Sequence, residues 1–399
     1  MQTMLCADSA AFAAGSAAAS AAAATLAASS SLALAYSGGR DSTALLHLAR
    51  AWAQQYGHTL YAFHVHHGIS PNADAWAAHC QQTCERLEVP FAMERVSLAS
   101  GPSVEAAARN ARYAALGRMC RAHGVGLLLT AHHQDDQAET VLLQLLRGSG
   151  IATGMEPLKR APALFLSDDI WLSRPALAMP RSVLCDWLLA AGIDYVDDES
   201  NLDPRYTRSG LRRQIMPLLA QQFPGFVERL GRSAQHVQSA QRLLQQLAEQ
   251  DWQRYRLEPG AGLRHAGLQM QALRELDQDR VQNLLRYWLA QRGARMPGTA
   301  WLVEAITQLQ SAREDAQVCI DYADGQFHRH RDTIYLAPRW QPADQFIKFR
   351  WQGETSLPFP AFSGALLIRP ADENQPGVAA DWLRSQVLQL RYREGGERL

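Results

Sequence analysis

From residue 31 onward, apolar positions alternate between short runs and stripes with a 3.6-residue period. Residues 32–36 (LALAY) form a short apolar run that predicts a first strand, and it leads into Ser37-Gly38-Gly39-Arg40-Asp41-Ser42. Leu45, Leu48, Ala49 and Trp52 then share one face of a predicted helix. A second strand is expected over 60–66, before a helix striped by Ala73, Trp76, Ala77, Cys80, Cys84 and Leu87. Residues 91–96 predict a third strand, and Val104, Ala107, Ala108, Ala111 and Met119 the apolar side of the next helix. Residues 125–130 (VGLLLT) predict a fourth strand, followed by a helix carrying Ala138, Val141, Leu142 and Leu145. Strands separated by helices of this length need crossover connections, so the pattern predicts an α/β fold with a doubly wound parallel sheet.

After about residue 215 the texture changes. A long glutamine-rich helix is expected over 226–255, with Phe226, Leu230, Val237, Leu244 and Leu247 as core positions. Further helices are expected over 274–291 and 299–311, with a hairpin around Ala323-Asp324-Gly325 flanked by strands over 318–322 and 333–336. Residues 340–399 combine proline with short apolar runs and read as a small mixed or β-rich region. There Leu388, Leu390 and Tyr392 alternate with Gln389, Arg391 and Arg393. The expected division is an Ala/Ser-rich extension over 1–30, an α/β domain over 31–217, a mainly helical domain over 218–338 and a small C-terminal domain over 339–399.

Composition narrows the function classes. An apolar fraction of 47% and a charged fraction of 20% suit a globular protein, and the formal net charge is zero. Any nucleic-acid contact must therefore come from a local basic patch. Of the 39 basic residues, Lys159 and Lys348 are the lysines. Six scattered cysteines without a CxxC pair suggest neither a disulfide framework nor a zinc site. The first basic residue is Arg40, so the start resembles neither a secretory signal nor a transit peptide. No apolar run has membrane-spanning length, and the expectation is a cytoplasmic protein that contacts no membrane.

Two segments carry chemistry. In Ser37–Ser42 two glycines let the backbone approach a ligand, and the following helix start offers N–H groups to an anion. Ser37 and Ser42 add hydroxyls, and Asp41 can hold a magnesium ion that bridges phosphates. A Gly-Lys-Ser/Thr ending is missing, so this is not the usual nucleotide P-loop; a capped strand-to-helix turn is the purely structural alternative. In Thr130-Ala131-His132-His133-Gln134-Asp135-Asp136-Gln137-Ala138-Glu139-Thr140, Asp136, Glu139 and Thr140 share one helical face near its start. If the sheet reverses direction beside the first strand, the two segments meet at the switch point. His64-Val65-His66-His67-Gly68 and the helix with Glu105, Arg109 and Arg112 point to the same edge, although a solvated Glu–Arg face would read alike. Arg205, Arg208, Arg212 and Arg213, with Arg229, Arg232 and His236 on a shared helical face, form the expected basic patch.

SGGRDS resembles the SGGxDS loop of the N-type ATP pyrophosphatases. FHVHHGISPNADAW, SVEAAARNARYAAL, TAHHQDDQAETVLLQLLRGSG and RPALAMPRSVLCDWLLAAGIDYVDDESNLDPRYTRSGLRRQIMPLL together resemble the tRNA(Ile)-lysidine synthetase family over about residues 31–217. Ser209 departs from that family, which usually has Asn there. The terminal REGGER (Arg393 to Arg398) looks like the start of a family motif, and the resemblance implies a shortened last domain.

The resemblance implies a sheet of the adenine-nucleotide α-hydrolase type, with a catalytic domain over 31–217 and a tRNA-binding helical domain. It implies an ATP-dependent ligase that adenylates the wobble cytidine of tRNA(Ile) with a CAU anticodon, then lets free L-lysine attack, changing codon reading from AUG to AUA. It implies ATP and Mg2+ as cofactors and leaves a homodimer open. Ser37, Gly38, Gly39, Arg40, Asp41, Ser42, His66 and His132 would bind the nucleotide, with Asp41 on the metal. Asp41, Arg109 and Asp136 are the expected catalytic residues, Asp136 as the base for lysine and Arg109 against developing negative charge. Arg112, His133, Glu139, Arg147, Arg205, Arg208 and Arg212 are the expected substrate contacts. A tRNA thiolase, an amide-forming synthetase and a nucleotide-binding sensor remain alternatives.

Overall fold

The computed structural model describes residues 24–25, 27–28, 30–68, 70–96, 104–148, 151–196, 207–258, 266–313, 318–337, 347–359, 364–371 and 377–390. Arg205, most of the Ala/Ser-rich extension and Arg393 to Arg398 lie outside the described residues. Contacts divide the chain into two units, residues 1–244 and 245–399.

The first unit is built on a six-stranded sheet. Strand β1 (Ser31–Ala35) leads into α1 (Arg40–Tyr56), β2 (Thr59–His66) into α2 (Ala73–Arg86), and β3 (Phe91–Arg95) precedes α3 (Val104–Ala122). Strand β4 (Leu127–Leu129) runs into α4 (Gln134–Leu146), and β5 (Leu158–Arg160) and β6 (Trp171–Ser173) complete the sheet around a short α5 (Pro162–Phe165). The strand order is β3-β2-β1-β4-β6-β5, parallel except for β5, which is antiparallel to β6. The parallel sheet expected from the alternation is therefore present, with β5 and β6 as short additions. β2 and β4 flank β1, so the direction of winding reverses there.

Side-chain alternation along β1 explains why helices cover both faces. Leu32 and Leu34 pack with Leu45, Leu46, Ala49 and Ala53 of α1 and Cys80 and Cys84 of α2. Ala33 packs on the other face with Tyr113, Leu116, Met119 and Cys120 of α3. Of the expected stripe of α3, Met119 is buried and Ala108 and Ala111 half-buried, but Ala107 is exposed, and the bulkier Tyr113 and Leu116 take the core. On α4, Ala138 and Val141 are buried as expected, whereas Leu145 is exposed.

Helix α6 (Arg181–Ala191) packs Leu184 and Leu188 against Ala44 and Leu48 of α1. Next come α7 (Thr207–Gly210), one π-helical turn over Leu211–Ile215, and α8 (Met216–Gln222). Leu211, Met216 and Phe226 pack on Ala138 of α4. Helix α9 (Phe226–Tyr255) has the expected span, but its buried positions are Phe226, Ala234, Ala248, Asp251 and Tyr255, and Leu244 is exposed.

In the second unit the helix expected over 274–291 is broken in two, α10 (Gln271–Glu275) and α11 (Gln278–Gln291), because Asp277 caps the second by accepting from Arg280 N at 2.9 Å. They share a core with α12 (Thr299–Ser311), centred on Trp288. A five-stranded sheet that begins with β7 (Arg256–Leu257) and β8 (Gly267–Gln269) has the order β7-β8-β11-β10-β9. Its hairpin joins β9 (Val318–Tyr322) to β10 (Gly325–His330) through Ala323-Asp324. The expected partner over 333–336 is the next strand, β11 (Thr333–Ala337). Two further two-stranded sheets lie beyond it, and Leu388–Leu390 is a strand, as its alternation predicted.

Candidate active site at the β1–β4 edge

The first and fourth strands end side by side, so the segments that follow them come together. After β1 the chain turns at Gly38, whose φ is +80°. A Cβ there would meet Cys80 Sγ at 2.7 Å, so the turn needs glycine for both conformation and room. Ser37 and Ser42 bridge the turn, hydroxyl to hydroxyl at 2.9 Å, and Ser42 donates to Gly39 O at 2.9 Å. Gly39 opens α1 in extended conformation, which leaves the first N–H groups of the helix facing outward. Val196 N donates to Gly38 O at 2.9 Å, pinning the turn from outside.

After β4, His133 caps α4. Its Nδ1 accepts from Asp136 N at 3.4 Å while Asp136 Oδ2 accepts from His133 N at 3.1 Å, a reciprocal capping box. That assigns the ring proton to Nε2. Nε2 lies 3.3 Å from Asp136 Oδ2 and 3.6 Å from Asp41 Oδ2, so the buried His133 ring joins the two segments. Asp41 Oδ1 is buried without a hydrogen bond and faces Arg181 Nε, equally unpaired, at 3.6 Å. Burial pushes the Asp41 carboxyl up, but His133 and Arg181 outweigh it and hold the group below its ordinary value.

Asp136 and Glu139, three apart on α4, receive two arginines from the helix that follows the sheet. Arg208 donates to Glu139 Oε2 at 2.8 Å and Asp136 Oδ1 at 3.0 Å. Arg212 donates to Glu139 Oε1 at 2.6 Å and Asp136 Oδ1 at 2.9 Å. Glu139 is 1% exposed. The four groups neutralise each other, and burial of Asp136 is more than offset by His133 and Arg208, which keep its carboxyl below the ordinary value.

The remaining expected residues sort by position. His66, buried at the end of β2, bonds Asp74 at 3.1 Å. His132 bonds Thr130 Oγ1 at 2.9 Å; burial first, then Arg174, Arg208 and Arg112, push its pKa down to about 3. Arg40 reaches toward Cys185 Sγ at 3.6 Å and the Tyr195 ring at 4.9 Å. Arg109 and Arg112 stack on Tyr113. Arg147 is exposed at the opposite end of α4 from the carboxylates. Arg229 donates to the carbonyls of Phe223 and Pro224, while Arg232 and His236 are exposed. Arg174 and Arg181 were not singled out from the sequence: both lie in the RPALAMPR segment, where no helical or strand period marks them.

A glycine turn and a capped acidic helix start that meet at a sheet reversal are the arrangement of a PP-loop domain, and the family of that description matches residues 15–219. A TilS substrate binding domain matches residues 268–335. The chain belongs to the tRNA(Ile)-lysidine synthase family. It is 40% identical to the tRNA(Ile)-lysidine synthase of Burkholderia pseudomallei (strain K96243), over 92% of this chain and 80% of that one. It is 37% identical to that of Nitrosomonas europaea, over 92% of this chain and 78% of that one. Among solved structures, the U34-tRNA thiolase NcsA from Methanococcus maripaludis with its 4Fe-4S cluster is similar at 17% identity and a TM-score of 0.44, over 52% and 71% of the two chains. Among the described residues no helix is long and apolar enough to cross a membrane.

Proposed function

We propose that this chain uses ATP to adenylate the wobble cytidine of a tRNA(Ile) with a CAU anticodon and then joins free lysine to that base. The observation that carries the reading is the 3.6 Å approach of His133 to Asp41, which brings the glycine turn and the acidic helix start to one edge. The turn and the α1 N-terminus cradle phosphate oxygens through backbone N–H groups, Ser37 and Ser42. Arg181, beside Asp41, meets negative charge that builds as the α–β phosphate bond breaks.

The buried Oδ1 of Asp41, which accepts no hydrogen bond, suits a divalent cation. Among the described residues no group of three His, Cys, Asp or Glu side chains could hold a metal, so Mg2+ would take its other ligands from phosphate and water. When bound, the ion neutralises the triphosphate and polarises its oxygens.

Asp136 is the carboxylate expected to take the lysine proton. His133 and Arg208 make it a weak base, which supports a positioning role: with Glu139 it fixes Arg208 and Arg212 at the edge where base and amine must meet. Lysine, the tRNA and a homodimer are parts of this reading drawn from the family. The thiolase alternative finds no support at the turn, where burial, then Cys84, push the Cys80 thiol up to about 12.

The test is pyrophosphate release with purified tRNA and radiolabelled lysine. ATP-dependent label in the tRNA is expected; ATP turnover with unlabelled tRNA would reject lysine as the nucleophile.

A further inference from the structure

A second group of cations lies beside this edge, on the α3 side of the sheet. Arg109 and Arg112 lie over the buried Tyr113 ring, their guanidinium carbons 5.1 and 5.4 Å from its centre. Lys159 on β5 is paired with Leu172 on β6. Directly opposed side chains share a sheet face, and Leu172 belongs to the same core as Tyr113, so Lys159 faces α3. Arg174, two residues beyond Leu172, faces the same way and is 2% exposed. Its Nη1 donates to Glu156 O at 2.5 Å, but its buried Nε has no partner. Burial, then neighbouring cations, hold Lys159 below its ordinary pKa, with Arg174 and Arg109 among those cations.

Among the described residues no ion pair joins a carboxylate to Arg109, Arg112, Lys159 or Arg174, and the nearest acid, the exposed Glu156, acts on Lys159 and Arg174 only from a distance. Arg208 and Arg212 are matched by Asp136 and Glu139; these four are not. Arg109 is exposed, but Arg112 and Lys159 are half-buried and Arg174 is buried, and like charges so placed repel one another until an anion joins them. The group adjoins the reacting edge: Arg174 follows Ser173, whose carbonyl accepts from Thr130 N at 2.9 Å, two residues before His132.

We propose that Arg109, Arg112, Lys159 and Arg174 form a phosphate site that holds the RNA backbone next to the reacting base. The shared chemistry is a phosphate oxygen, from either RNA or nucleotide. The RNA source is favoured because the glycine turn, the nucleotide cradle, opens α1, which packs on the opposite face of the sheet from Tyr113. The inference rests on the tRNA-modifying reading above.

The test compares the full chain with Lys159→Gln and Arg174→Gln, after circular dichroism confirms folding; the half-buried Lys159 keeps the test usable if the Arg174 variant misfolds. tRNA affinity is measured without ATP between 50 and 200 mM salt, and the KM for ATP by pyrophosphate release. Each substitution is expected to weaken tRNA binding about tenfold and to flatten the log–log salt slope by about one, with the KM for ATP within about twofold. A raised KM for ATP with an unchanged slope places nucleotide phosphates there and overturns the RNA assignment. No change in either overturns the site. A wild-type chain that binds tRNA with this slope but transfers no lysine would fail the proposed function and leave the site standing.

Discussion

Asp41 and His133 face each other at 3.6 Å although one follows the first strand of the sheet and the other the fourth. The contact exists because β4 pairs directly with β1, placing both strand ends at the reversal of the sheet. Asp41→Asn keeps the size of the side chain and removes the charge that would meet a cation. ATP-dependent pyrophosphate release is expected to fall about a hundredfold or more, with a higher Mg2+ requirement, while the melting temperature changes little.

Glu139 lies almost fully buried between two arginines that are each about one-third exposed. Glu139→Gln leaves both guanidiniums with half their partners, and a loss of about 3 kcal/mol in unfolding free energy is expected. Urea denaturation measures it. An Arg208→Ala/Glu139→Gln double variant should lose less than the sum of the singles, since both remove the same pairing.

Much of this site was legible in order along the chain, and so was the meeting of its two segments at the sheet reversal; the partners of individual side chains were not. SGGRDS and HHQDD stood out because glycines, histidines and acids cluster at ends of apolar runs, and runs buried on both faces are easy to see. Strands β5 and β6 were missed because three residues carry no period. Arg208 and Arg212 read as a solvated, RNA-facing helix because a four-residue spacing looks the same whether it meets water or two carboxylates from another helix. The hairpin was misassigned because β10 (GQFHRH) looks polar; its Arg329 is buried, donating to the carbonyls of Leu309 and Ala312.

Gly38→Ala should destabilise the protein by about 1–3 kcal/mol, from the positive φ and the approach to Cys80 Sγ. Combining it with Cys80→Ala removes the contact but not the backbone strain, so about half the loss should return. Thermal unfolding of the four proteins measures this, and full recovery would show that strain contributes nothing.

Acid should weaken the fold well above the range where carboxylates titrate. Burial, then Arg112, push the His67 pKa down to about 4, and that of His132 lies at about 3. Between the ordinary histidine value and these, the unfolded chain binds protons that the folded one refuses, so stability falls as pH drops from about 6.5. A loss of about 2 kcal/mol per histidine by pH 5 is the upper bound, smaller for the half-buried His67. His132→Asn should flatten the dependence in denaturant titrations at pH 7.5 and 5.

The π-helical turn over Leu211–Ile215 sets an angular phase. One extra residue per turn offsets the helix before it from the helix after it by about 100°, the rotation of a single α-helical step. Leu211 and Met216 can then seat on Ala138 while Arg208 and Arg212 reach Asp136 and Glu139. Shortening this segment by one residue would regularise the rod and force it to choose between its apolar anchors and its guanidiniums. The wide turn is a spacer that reconciles packing with chemistry.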